Sequence, residues 1–118
     1  MDRKKNYNFG ILAEYLAIIY LALCFYKIIS RRHKTNVGEI DIIASKGKNI
    51  IFIEVKARKD KSNIYDSLSK RQQNRITQAA SLFIAKNSKY HKKNIRFDLI
   101  LVTPSFFIKH IKNAWMLN

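Results

Sequence analysis

Two carboxylates and a lysine stand at a spacing that suits phosphodiester chemistry. Asp41 lies in Gly38-Glu39-Ile40-Asp41-Ile42-Ile43, and Glu54 and Lys56 lie in Phe52-Ile53-Glu54-Val55-Lys56-Ala57-Arg58. Both segments are dense in β-branched residues and read as strands, and the polar stretch Ser45-Lys46-Gly47-Lys48-Asn49 between them reads as a turn. A four-residue loop from Lys46 to Asn49 sets Ser45 opposite Ile50, and therefore Asp41 directly opposite Glu54. Alternation puts Asp41 on the face away from Ile40 and Ile42, and Glu54 with Lys56 on the face away from Ile51, Ile53 and Val55. Opposed side chains stand about 5 Å apart, where two like charges destabilise a strand pair. A divalent cation removes that repulsion, and Mg2+ is held in this way, by one or two carboxylates with waters and a substrate phosphate. Lys56 is then placed to steady an attacking water or the charge developing on the phosphate. Taken singly, each of the three reads better as a solvated edge charge, with Lys56 as ion-pair partner, because exposed ion pairs are common and worth little.

The rest of the composition favours the joint reading. The chain has 118 residues, with 23 Lys and Arg against 8 Asp and Glu, a net charge of +15. Glu14, Glu39, Asp41, Glu54 and Asp98 nevertheless lie within apolar segments, and only Asp2, Asp60 and Asp66 lie in polar ones. Acids kept in apolar elements of a chain that otherwise excludes them point to cation binding, by Mg2+ or Mn2+. The positive excess points to a polyanionic partner, nucleic acid ahead of an anionic membrane surface. A hydrophobic content of 47% excludes a disordered basic tail. Cys24 is the only cysteine, which excludes a disulfide framework and a Cys-based zinc site. Three Gly and one Pro speak against a Gly-rich phosphate loop.

The elements that must position these groups follow from periodicity. Residues 10–23 form a helix, apolar nearly all round and so read as a buried core helix. Arg3, Lys4 and Lys5 ahead of the apolar run 9–26 imitate a targeting signal. The run is short for a membrane span, contains Glu14 and carries basic residues at both ends. A membrane anchor through residues 9–26 is therefore the least favoured reading, and a cytoplasmic protein is expected. Residues 26–31 read as a short strand, followed by a basic loop through Arg32, His33, Lys34 and Gly38. Strands at 39–44 and 50–58 form the hairpin. Asp66 or Ser67 caps a second helix running to about residue 85, with Ile76, Ala79, Ala80, Phe83 and Ile84 as its apolar stripe. A polar loop at 86–94 precedes a strand at 95–103 that is apolar on both faces and so central. Pro104 ends it, and residues 106–117 form a final strand or short helix. The order describes a single α/β domain over 1–118, an α+β mixed sheet of about four strands. In the second helix the stripe, carried back from Ile76 and Ala80, meets Gln73, Gln72 and Ser69. These polar residues fit either a frayed helix start or the wall of a charged cleft beside Glu54 and Lys56, with Lys70 at its edge.

Gly10, Glu14, Ala17 and Leu21, the Gly38–Ile43 and Phe52–Arg58 segments, and Arg96-Phe97-Asp98 together resemble the YraN family of bacterial proteins. That family in turn looks like part of the PD-(D/E)XK restriction-endonuclease-like superfamily. The resemblance covers nearly the whole chain. The two strand segments at this separation are specific, whereas a Glu-x-Lys triplet alone is not. The resemblance implies an αβββαβ core, Asp41 as the motif aspartate, Glu54 and Lys56 as the Glu-x-Lys pair, and Glu14 as a helix acid. Archaeal Holliday-junction resolvases of the same superfamily also carry such a helix acid, so branched DNA enters as an expected substrate class. The chain departs from the family in two places: Leu23-Cys24-Phe25 stands where a Gly follows the first helix, and Ser62-Asn63-Ile64-Tyr65 where a Gly follows the Arg58 segment. Both bear on loop shape.

Other residues receive plainer readings. Glu39 shares a strand face with Asp41 as a solvated or supporting charge. Asp98 pairs with Arg58 or Arg96, and His33, His91 and His110 are ordinary surface histidines. Cys24, Tyr7, Tyr15, Tyr20 and the phenylalanines belong to the core. Phosphate contacts fall to Arg31, Arg32, Lys34, Arg58, Lys59, Lys61 and the 89–93 loop, with Lys70 and Gln73 from the second helix. The expected activity is a Mg2+- or Mn2+-dependent endonuclease acting on DNA. A non-catalytic nucleic-acid-binding module is the alternative, and a homodimer stays open.

Overall fold

The computed structural model describes residues 3–59 and 68–116, with side chains from residue 8 onward. The Tyr7 side chain, Lys61, the departure at 62–65 and the expected caps Asp66 and Ser67 lie outside what the structure describes. Helix α1 (Arg3–Leu23) leads into β1 (Lys27–Thr35), β2 (Gly38–Lys46) and β3 (Asn49–Ala57). Helix α2 (Lys70–Lys86) and a 3-10 turn at Ser88–Tyr90 lead into β4 (Asn94–Val102) and β5 (Ile108–Trp115). The strands lie side by side in chain order, and every neighbouring pair is antiparallel except β3 with β4. That parallel pair needs a crossover, which α2 supplies. Helix α1 covers one face of the sheet over Ile42, Ala44, Ile51, Ile53, Val55, Ile100 and Val102. Helix α2 covers the other over Ile40, Ile43, Ile50, Phe52 and Phe97. The result is a mixed α/β fold consistent with a restriction-endonuclease-like αβββαβ core, extended by β5.

The hairpin register agrees with the sequence reading. Pairing runs from Lys46 opposite Asn49 to Ile42 opposite Ile53, and the next step along it is Asp41 and Glu54. The turn is tighter than expected, only Gly47-Lys48, and Gly47 takes φ +57. A first turn residue with positive φ lets a two-residue turn follow the strand twist, and glycine does this without a Cβ clash.

Three expectations are corrected. The sheet has five strands, since residues 108–115 pair with β4 and the first strand extends to Thr35. Arg32, His33 and Lys34 are therefore strand residues rather than a basic loop. Thr35 closes that hairpin by donating to the Gly38 carbonyl at 2.7 Å and accepting from the Val37 and Gly38 N–H groups. Helix α2 starts at Lys70, where Ser69 and Gln72 form a reciprocal capping box that satisfies the first free N–H groups. Helix α1, finally, is not buried all round. It presents Ala13, Ala17 and Leu21 to the sheet and leaves Leu12, Tyr15, Ile19 and Leu23 exposed. Phe25 and Phe106 are exposed as well, against the expectation of core aromatics. Among the described residues, no helix is long and apolar enough to cross a membrane.

The end of α1 explains the first departure from the family pattern. Tyr26 N–H donates to the Leu21 carbonyl at 2.9 Å, and Phe25 N–H to the Ala22 carbonyl at 3.0 Å. These are the two bonds of a Schellman cap, with Phe25 at the position that glycine usually fills. Phe25 accordingly adopts φ 67, a left-handed conformation costing an L-residue about 1–2 kcal/mol. Its ring, 86% exposed, gains little burial in return. Phe25→Gly should therefore raise stability, by up to about 1 kcal/mol after glycine's own entropy cost. Urea unfolding measures this, and a loss of stability would show that the ring packs after all.

Candidate functional site

The site forms where β1 and β2 both lose their regular alternation. Ile40 and Ile43 pack on the α2 side, whereas Ile42 and Ala44 pack on the α1 side. Ile40 and Ile42 thus point to opposite faces, contrary to the even alternation expected from sequence, and the break falls at Asp41. Across from it, Arg32 lies between Arg31, paired with Ile42, and His33, paired with Ile40. Arg32 adopts φ 48, another left-handed non-glycine residue. The twist lets consecutive residues reach the same helix. The Arg31 guanidinium lies 4.7 Å from the Tyr15 ring centre, and Arg32 reaches Glu14. Backbone strain of this kind concentrates at functional sites.

Asp41, Glu54, Glu14 and Arg32 line one cavity of about 260 Å³, together with Gly10, Ile11, Val55 and Ala57. The Val55 N–H donates to Asp41 Oδ2 at 2.8 Å, so the carboxylate takes the place of a strand carbonyl in the β2–β3 ladder. Lys56 Nζ lies 3.5 Å from Glu54 Oε1. Burial raises Asp41 to about 6, with the Glu14 charge adding to it and the Val55 N–H opposing. Burial and then the Asp41 charge push Glu54 up to about 8, against the pull of Lys56. With Glu54 pushed that high beside Asp41, the pair holds a proton at neutral pH.

Glu14 converges on the same cavity but is already paired. Arg32 Nη2 donates to its Oε2 at 3.0 Å and Arg32 Nε to its Oε1 at 3.3 Å. Among the described residues, no three acid, His or Cys side chains gather into a ready-made metal site. The donors themselves suit a hard cation: carboxylate oxygens only, two of them forced together and sharing a proton that a cation can replace. Asp41 and Glu54 would hold Mg2+ or Mn2+, with Glu14 as the third oxygen donor once released by Arg32.

The remaining site expectations divide. A second cavity of about 170 Å³ lies on the α2 side of Glu54, lined by Gly38, Glu39, Gln72, Arg75 and Ile76. The polar start of α2 does face a charged cleft, but through Gln72 rather than Gln73, whose side chain donates to the Leu68 carbonyl at 3.3 Å. Lys70 lines a separate cavity with Asn74, Thr77, Gln78, Trp115 and Met116. Arg31, Lys34, Arg58 and Lys59 are exposed near the site end of the sheet. Sequence reasoning missed Arg75, one helical turn beyond Gln72 on the same face, and the pairing of Arg32 with Glu14.

Asp98 is a second buried acid with a different role. It is fully buried and accepts from Arg96 at 2.9 and 2.8 Å, from His110 Nε2 at 2.7 Å and from the Asn113 N–H at 2.9 Å. His110, expected at the surface, is buried between Asp98 and the Tyr20 hydroxyl. Burial works to raise Asp98, but these hydrogen bonds bring it below the ordinary carboxylate range. The arrangement ties β4, β5 and α1 together and leaves no open side for a substrate.

The uncharacterised protein family UPF0102 matches over residues 13–102. A UPF0102 protein of Maricaulis maris is 41% identical over 107 residues, 91% of this chain and 84% of that protein. A UPF0102 protein of Rhizobium etli is 38% identical, over 96% of this chain and 93% of its own. One from Ehrlichia ruminantium is 40% identical, over 98% and 94%.

The pH dependence of stability distinguishes the two kinds of buried acid. Asp41 and Glu54 bind protons more tightly folded than unfolded, where carboxyls titrate near about 4. Their contribution is complete below that value and is lost as pH rises through about 6 and about 8. Asp98 is lowered, so its contribution is lost only as pH falls below the ordinary carboxylate range. Metal-free protein should lose melting temperature between about pH 5 and about pH 8, and Glu54→Gln should flatten that slope. A wild-type melting temperature that is level or rising across this window would contradict the paired-carboxyl geometry.

Proposed function

The chain belongs to the uncharacterised protein family UPF0102, which is the YraN family, and from that premise we propose that it is a divalent-cation-dependent nuclease hydrolysing DNA phosphodiester bonds. The observation that carries the reading is the Asp41–Glu54 pair: two half-buried carboxyls held together on a short hairpin, with Lys56 beside them, at the bottom of a cleft rimmed by basic residues. A purely structural pair of acids would be answered by internal partners, as Asp98 is.

Each residue has a part. Asp41 and Glu54 would hold Mg2+ or Mn2+, and the bound cation would supply Lewis-acid stabilisation of the phosphate and a more acidic water. Lys56 orients the attacking water or meets negative charge developing on the phosphate. Arg31, Lys34, Arg58 and Lys59 take the flanking phosphates, with Arg75 and Gln72 on the α2 side of Glu54. These contacts go to the backbone, so the reading includes little sequence preference and allows recognition by shape, with branched DNA as the substrate class to try first. Such an enzyme works in the cytoplasm, where its substrate is.

One observation favours a second reading. Arg32 already neutralises Glu14, an arrangement that suits a non-catalytic nucleic-acid-binding module on the same fold. Mn2+ titration by calorimetry separates the two, because only the nuclease needs the cation. Wild-type protein should bind Mn2+ and cut at least one of linear, flapped and four-way DNA. Asp41→Ala and Glu54→Ala should each reduce cutting by about a hundredfold or more, with DNA affinity within about threefold of wild type. Cutting that persists in both variants would overturn the assignment, and wild-type protein that binds DNA but no cation would favour the binding module.

Affinity should also depend strongly on salt. Releasing counterions from several phosphates lowers the logarithm of affinity by nearly one unit per contact for each tenfold rise in salt. Anisotropy titrations of duplexes of unrelated sequence measure this, and a flat salt response would remove the phosphate contacts from the proposal.

A further inference from the structure

Positive charge gathers at both ends of the sheet. Around the Asp41–Glu54 end stand Arg31, Arg32, Lys34, Arg58, Lys59 and Arg75. At the other end β1 begins, β2 turns into β3, and β4 begins, brought together by Lys27 opposite Ser45 and by Asn49 opposite both Lys46 and Asn94. The basic side chains there are Lys27, Lys46, Lys48 and Lys93, with Arg96 held inward on Asp98 and the Tyr26 hydroxyl. Lys46 Nζ donates to the Cys24 carbonyl at 2.8 Å and Lys93 Nζ to the Gly47 carbonyl at 2.7 Å. None of the acids described at this end is exposed, Asp98 being buried.

From the middle of this lysine cluster project Leu23, 75% exposed, and Phe25, 86% exposed. They continue the outer stripe of α1, in which Leu12, Tyr15 and Ile19 also face outward. The helix thus buries Ala13, Ala17 and Leu21 on the sheet and still leaves a second apolar row, Leu12, Tyr15, Ile19 and Leu23, facing solvent. An ordinary surface helix carries polar residues on that outer face. Phe25 holds its outward position through a left-handed backbone that glycine would adopt without strain.

We propose that the chain docks on an anionic lipid surface, with Leu23, Phe25 and the outer stripe of α1 entering the interface and the surrounding lysines meeting the headgroups. Apolar side chains on a helix lying in the membrane plane, combined with basic residues beside it, are the two signals that stable peripheral binding needs. Charge selects this occupant. A second copy also carries +15 and brings its own lysines to the same patch. Nucleic acid would neutralise the lysines but offers no apolar layer for Leu23 and Phe25. The proposal uses none of Asp41, Glu54 and Lys56, so it does not rest on the nuclease reading.

Vesicle flotation tests it, using full-length protein with phosphatidylcholine vesicles and with phosphatidylcholine–phosphatidylglycerol vesicles. The wild type should float with the anionic vesicles only. The double variants Leu23→Ser/Phe25→Ser and Lys27→Glu/Lys48→Glu should each lose about tenfold or more in partitioning. All four side chains are exposed, and circular dichroism with thermal melting verifies that each variant folds. Binding of the wild type to both vesicle types, or to neither, would overturn the proposal. So would an unaltered Leu23→Ser/Phe25→Ser variant, which would leave the lysines as a nucleic-acid patch. Light scattering that shows a dimer, abolished by the same serine pair, would assign the stripe to a second copy and equally overturn it.

Discussion

Two carboxyl groups pressed together in a cleft of low polarity are the constraint around which this chain is arranged. A hairpin could avoid the clash by a one-residue slip, but the Gly47-Lys48 turn and the apolar faces of β2 and β3 fix the register. The proton shared by Asp41 and Glu54, the nearby ammonium of Lys56 and the N–H of Val55 are local answers to that repulsion. They do not offset burial, the largest cause by which both carboxyls titrate high. The kink at Arg32 and Asp41 belongs to the same arrangement, since it turns both side chains toward α1.

Asp98 shows what a fully answered acid looks like in the same protein. Its oxygens receive four hydrogen bonds from three residues, and it titrates low. Both acids sit in apolar strand segments, so composition alone groups them together. Structure separates them by the number of donors facing each oxygen. A buried acid surrounded by donors is part of the scaffold, and one facing another acid across an open cavity is available to a ligand.

Much of this was legible in the sequence. The strand character of 39–44 and 50–58, and the opposition of Asp41 to Glu54, follow from pairing arithmetic alone. The stripe on α2 was correct at Ile76, Ala79, Ala80 and Phe83. What escaped has physical reasons. The charged residues 32–34 look like a loop because period-two hydrophobicity disappears on an edge strand that carries Arg and Lys. The break at Asp41 was hidden because alternation assumes a regular backbone, and a left-handed arginine leaves no mark in composition. His110 could not be placed because its partners, Asp98 and Tyr20, come from distant parts of the chain. The outward stripe of α1 is indistinguishable from core in the sequence because hydrophobicity alone does not say which side of an apolar helix meets the sheet.

The single parallel junction in the sheet also divides the chain in time. β1, β2 and β3 are joined by tight turns and β4 to β5 by a short loop, so those pairings close over short stretches of chain. Only β3 with β4 must wait for the intervening helix, and that long closure is the slow step expected for such a topology. Glu14, Asp41, Glu54 and Lys56 all precede it. During synthesis the acidic site therefore leaves the ribosome before the strand that braces its floor, and its carboxyls meet water until β4 docks. A truncated or stalled chain would carry every reactive group yet lack the buried setting that gives them their unusual acidity.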